Sequence, residues 1–153
     1  MKMVSREQAD ALVGSKVGES DWVRIDQERI DAFAAVTEDH QFIHTNPEAA
    51  RMTPFGGTVA HGFLTLSLLS KFAESATLTL SNIKMGVNYG FDKVRFVTPV
   101  PAGSKVRGHF ELKSVEDKKP GQTQFIYAVV VEIDGKGTDS PALVADWIVR
   151  QFT

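Results

Sequence analysis

The sequence predicts an α+β domain: an antiparallel sheet curled around one long buried helix. Three observations predict it. Between Gly62 and Phe72 the apolar residues Phe63, Leu64, Leu66, Leu68, Leu69 and Phe72 are too dense for one helix face. The helix they form is therefore expected to be buried nearly all round and to run to about Glu74 or Ala76. The second half of the chain alternates apolar and polar residues, the pattern of half-buried strands. Helical spacing is otherwise confined to the first half. With 153 residues, 42% of them hydrophobic, the chain is long enough to bury a core as one domain, 1–153.

In chain order, Met1 to Lys16 has no continuous apolar run and is expected not to be a secretory signal. Ile30, Phe33, Ala34 and Thr37 fall at helical spacing within Ile25–Thr37, with Asp26 as N-cap. A polar stretch with two histidines, Glu38 to Asn46, interrupts the pattern. Asn46-Pro47 then pairs a cap with a proline at the first helical position, which opens a short helix to about Met52. Thr53-Pro54-Phe55-Gly56-Gly57 is a loop by composition, and the central helix follows. Short strands are expected at Ile83–Tyr89 and Val94–Val97. Val106, Gly108, Phe110 and Leu112 alternate with Lys105, Arg107, His109 and Glu111, which places His109 toward solvent. Phe125 to Ile133 is a long β-branched run ended by the turn pair Asp134-Gly135. Leu143, Ala145, Trp147 and Val149 alternate in a last strand. A sheet of this kind often covers its edge by pairing with a second copy.

Composition excludes several function classes. Net charge is −2 with no basic stripe, which argues against a nucleic-acid partner. Lys118-Lys119 is bracketed by Glu116, Asp117 and Pro120 and reads as a solvated turn. Without cysteine there is no disulfide, thiolate metal site or Cys nucleophile. No segment approaches the roughly 20 apolar residues of a membrane span. A soluble, cytoplasmic protein is expected.

Two stretches carry chemistry. Glu38-Asp39-His40-Gln41-Phe42-Ile43-His44 puts two carboxylates and two imidazoles within seven residues. Asp39 and His44 do not share a regular helix face, so a loop must bring them together. Joined, they make an acid/base pair; the competing reading is a capping Asp and a surface His. Gly56-Gly57-Thr58-Val59-Ala60-His61-Gly62 leads directly into the central helix. The free N–H groups of a first helical turn can hold a developing oxyanion, and glycine lets a ligand approach. Alternatively, Gly62 only permits tight packing. His40 and His44, with His61 or Glu38, would make a metal set only if Glu38–His44 were helical; no metal is expected.

These stretches resemble the MaoC-like dehydratase family, and within it the nodulation-protein-N-like branch. Thr37 to His44 resembles its hydratase motif. Pro54 to Leu69 looks like its overhanging loop and central hot-dog helix. Asn88 to Phe96 and Pro99 to Ser104 are similar to its next strand and turn. The likeness runs from about Val17 onward. It implies a hot-dog fold and (R)-specific hydration of trans-2-enoyl-CoA, with the CoA thioester as substrate and no cofactor. It further implies that Asp39 and His44 activate water, that the Gly62 N–H holds the thioester oxygen, and that Ser70 helps fix the Asp. Phe42, Gly57, His61 and Ser70 are expected to meet substrate. A chain of one hot-dog unit is expected to form a homodimer. The family usually has Gly where Glu38 stands and Asn-Pro where Gln41-Phe42 stands. Glu38 would disfavour ionisation of Asp39 if buried beside it, and Phe42 is expected to shape the acyl pocket. Arg95 and Lys93 are candidates for CoA phosphates, whereas Trp22 and Trp147 are expected in the core or a subunit interface. A hot-dog thioesterase generally places a carboxylate on the central helix, and Gly62 to Lys71 has none. A non-catalytic acyl-CoA-binding protein is the rival from another class.

Overall fold

The alternating stretches of the second half form one antiparallel sheet, as their period of two requires. The computed structural model describes residues 1–153. Its elements are β1 Lys2–Val4, α1 Arg6–Ala11, β2 Lys16–Glu19, β3 Val23–Arg24, α2 Gln27–Thr37, α3 Phe42–Thr45, α4 Pro47–Arg51, α5 Gly62–Ser67, α6 Leu69–Ala76, β4 Leu78–Leu80, β5 Met85–Phe96, β6 Lys105–Lys119, β7 Gln122–Ile133 and β8 Leu143–Phe152. The main sheet runs β2-β6-β7-β8-β5, with β3 beside β2 on β6; β1 and β4 make a separate parallel pair. The helices pack on its inner face around a core of 27 buried residues. This is the wrapped arrangement expected of a hot-dog domain.

The inward faces of β6, β7 and β8 supply most of that core. Phe110, Tyr127 and Trp147 meet with ring centroids 6.2 to 6.4 Å apart. Burial pushes the Tyr127 hydroxyl well above its ordinary value, and the Leu78 N–H donates to it at 3.3 Å. Close contact between helix and sheet depends on two glycines. A Cβ on Gly18 would lie 2.6 Å from the Ala76 carbonyl oxygen, and one on Gly108 would lie 3.0 Å from the Phe72 ring.

Three expectations change. The central helix spans Gly62 to Ala76, but it is divided at Leu68, whose ψ of −10° interrupts the regular turn. Nor is it buried all round within one chain. Phe63, Ser67, Ser70, Lys71 and Glu74 are exposed, and Phe63 shows 67% of its surface. The two short strands predicted between 83 and 97 are one strand, β5. Its register against β8 shifts between Asn88 and Gly90 and again between Phe91 and Lys93, and these bulges hid the continuity. His109 is not solvated but half-buried, with Nε2 2.7 Å from a Glu132 carboxylate oxygen across the β6–β7 ladder.

Candidate active site

The site begins where α2 ends. Asp26 caps that helix by accepting from the Arg29 N–H at 3.0 Å, as expected. The helix stops at Glu38, which adopts the left-handed conformation with φ 62°. That conformation favours glycine, which accounts physically for the glycine the family usually has there. Glu38 is exposed, so its charge is not buried beside Asp39. The chain then turns through Asp39 into the single turn α3, which carries His44 inward at 7% exposure.

Backbone contacts fasten this turn to the segment before α5. The Val59 N–H donates to the Ile43 carbonyl at 3.0 Å, and the Ala60 N–H to Val100 at 2.8 Å. Gln27, which the sequence did not single out, ties three parts together. Its Nε2 donates to the His44 carbonyl at 2.7 Å, and its Oε1 accepts from Thr58 Oγ1 at 2.5 Å. His44 Nδ1 lies 2.6 Å from the Val59 carbonyl oxygen. A carbonyl only accepts, so Nδ1 carries the proton and Nε2 presents a lone pair.

Asp39, His44 and His61 come together: one polar atom from each lies within 4.8 Å of the others. The His44 and His61 rings stack at 3.8 Å, tilted 25°. The Asp39 side chain is 51% exposed.

A cavity of about 360 Å³ opens beside this group, lined by His44, Ile43, Phe55, Gly62, Phe63 and Phe96 among others. Its walls are mainly apolar. Gly62 opens α5, whose N-cap His61 makes no side-chain cap bond, so the first-turn N–H groups have no such partner. A Cβ on Gly62 would lie 2.8 Å from the Phe96 ring, so the tight-packing reading of this glycine also holds.

The remaining expected residues lie elsewhere. Phe42 does not line the cavity; it is 47% exposed, and its neighbour Ile43 takes the wall position. Gly57 is also outside the wall, with open space where a Cβ would stand. Ser70 makes no hydrogen bond to Asp39 and instead accepts from Asn88 Nδ2 at 3.0 Å. Together they line two adjoining cavities along the exposed flank of α5 and α6. His61 is buried, and its Nε2 sits 3.0 Å from the Asp39 carbonyl oxygen. Lys93 and Arg95 are exposed on β5, Trp22 stacks under the Arg107 guanidinium at 4.5 Å, and Trp147 is in the core.

Comparison with known proteins agrees with this architecture. Residues 8–134 match the MaoC like domain, so the likeness begins before Val17. The chain is 46% identical over 154 residues to nodulation protein N of Rhizobium leguminosarum bv. viciae, covering 99% of this chain and 94% of that protein. It is 48% identical over 140 residues to 3-hydroxyacyl-thioester dehydratase Z of Mycobacterium tuberculosis, covering 92% and 91%. Among solved structures, a monoamine oxidase regulatory protein from Archaeoglobus fulgidus superposes with TM-score 0.77 at 24% identity, over 92% of this chain and 91% of that one, a likeness of fold. The match over most of the chain and the identity to these two relatives show that this chain belongs to the MaoC-like family of dehydratases and hydratases.

Proposed function

We propose that the chain hydrates trans-2-enoyl-CoA to (R)-3-hydroxyacyl-CoA, reversibly. The observation that carries this is the pairing of the His44 ring, its Nδ1 fixed by Val59, with the uncapped helix start at Gly62 on one apolar cavity. The Asp39 carboxylate stands beside that ring. His44 and Asp39 take a proton from water, and the hydroxide oxygen bonds to C3. The C2–C3 π pair moves toward the thioester carbonyl, whose oxygen becomes negative and is held by the Gly62 N–H. A proton from the Asp39/His44 pair then enters C2. A positioned base contributes about 10²–10⁴-fold to such a step, and an oxyanion donor about 10²–10³-fold.

The name of the mycobacterial relative, a dehydratase of 3-hydroxyacyl thioesters, describes the reverse of this reaction. The central helix supports hydration over thioester cleavage. Its one carboxylate, Glu74, is exposed and paired with Lys71 at 2.6 Å. CoA enters as part of the substrate and no cofactor is needed. We place the protein in the cytoplasm, as a homodimer joined along β5. That strand is one edge of the sheet and exposes Met85, Tyr89, Phe91 and Phe96.

The test mixes purified protein with crotonyl-CoA, octenoyl-CoA and saturated octanoyl-CoA, following enoyl absorbance, product chirality and free thiol. Loss of absorbance with (R)-3-hydroxyacyl product supports the reading. Thiol release from the saturated thioester without hydration would replace it with a thioesterase.

A further inference from the structure

His61 touches both Asp39 and His44 but lines none of the cavity beside them. Its side chain is 2% exposed. Nε2 faces the Asp39 carbonyl oxygen at 3.0 Å, the shortest hydrogen bond Asp39 makes; the contact from the Gln41 N–H to the carboxylate is 3.4 Å. Because a carbonyl only accepts, Nε2 carries the proton and Nδ1 is a bare lone pair. That Nδ1 is buried and has no partner in the protein. Leaving a buried polar atom unpaired is destabilising. An apolar ring would fill the same volume without that cost, so packing alone does not account for an imidazole here. What the imidazole adds is the Nε2 donor, directed at the carbonyl of Asp39, the residue after the left-handed turn at Glu38.

The ring also has two occupied neighbours. It stacks on His44 at 3.8 Å, and Phe33 packs against it at 5.1 Å, tilted 52°. One rigid side chain thus touches both the backbone of Asp39 and the plane of His44.

We infer that His61 is a positioning residue: its Nε2–H fixes the Asp39 peptide while its ring fixes the His44 plane, so carboxylate and imidazole meet one water already aligned. The kinetic part rests on the hydratase reading above. Misplacement of reacting groups by about 1 Å costs on the order of 100-fold in rate, so the effect belongs in kcat and not in substrate binding.

Two variants separate the roles. His61→Phe keeps the stacked ring and loses the donor; His61→Gln loses the ring and keeps a donor able to reach the Asp39 carbonyl. With the full chain and crotonyl-CoA, His61→Phe is expected to lower kcat by about 10- to 100-fold with KM unchanged. His61→Gln is expected to recover part of that loss. A folded His61→Phe variant with wild-type kcat, or one whose defect lies in KM, would overturn the inference, as would a Gln variant no better than Phe. Long-range ¹H–¹⁵N spectra of the wild type give an arm independent of activity. They are expected to show His61 as the Nε2–H tautomer and His44 as the Nδ1–H tautomer; Nδ1–H at His61 overturns the inference even if no variant folds. If the wild type hydrates nothing, the hydratase reading fails instead. The tautomers and the His44 ring signals in His61→Phe then decide: shifted signals support the positioning role, and unmoved ones refute it.

Discussion

At the scale of single residues, the site depends on two backbone positions. Glu38 is the only residue other than glycine with positive φ, and Asp39 hangs from it. A non-glycine residue pays roughly 1–2 kcal/mol in this conformation, partly offset by the chain entropy glycine loses. Glu38→Gly is therefore expected to raise stability by about 0.5–1 kcal/mol, read as an upward shift in the thermal melting midpoint. A lowered midpoint would mean that Glu38 makes a stabilising contact of its own. At Gly62, a methyl group meets the Phe96 ring at 2.8 Å. Gly62→Ala is expected to depress turnover, and the double change with Phe96→Leu to restore part of it if the defect is steric. The sequence singled out Asp39 and His44 in a polar stretch between apolar flanks, the resemblance to the hydratase motif implied their roles, and the structure brings the two together. The sequence did not carry Gln27 or the position of Ser70. Those depend on which side of a helix faces a neighbouring segment, and neighbours come from distant parts of the chain.

At the scale of elements, caps were legible and bulges were not. Asp26 and the Asn46-Pro47 pair begin α2 and α4 as their chemistry requires. The Ser5-x-x-Gln8 capping box that starts α1 is equally readable in the sequence. On β5 the bulges broke the alternation and made one strand look like two. The β6–β7 face held a different surprise. Burial alone would raise the Glu132 carboxyl, but bonds from Arg107 at 2.8 Å and His109 at 2.7 Å hold it below its ordinary value. A folded value below the unfolded one means the stability it contributes is present above about pH 4.3 and lost as pH falls through the folded value. Glu132→Gln is expected to cost about 1–3 kcal/mol at neutral pH. In urea titrations that difference from wild type should shrink below about pH 4. An undiminished difference in acid would show that the charge is not what Glu132 contributes.

At the scale of the whole molecule, the helix stripe through Phe63, Ser67 and Ser70 and the edge strand β5 are the surfaces one chain leaves open. The apolar density of residues 62–72 read as all-round burial, which a single chain does not provide. The proposed homodimer would supply the missing cover. Light scattering is then expected to give twice 16.8 kDa. Tyr89→Lys, which sets a second cation where Arg150 now lies 3.3 Å over the ring, should shift the mass toward the monomer. A wild type that stays monomeric at high concentration would exclude the dimer.

The most direct measurement compares crotonyl-CoA hydration by the wild type, Asp39→Asn and His44→Ala, each shown to be folded by its melting transition. The expected result is turnover by the wild type and a loss of about 10²-fold or more in each variant, since each removes one half of the acid/base pair. A folded variant with the wild-type rate, or a wild type that binds the thioester and leaves its double bond intact, would contradict the assignment of Asp39 and His44 as the residues that activate water.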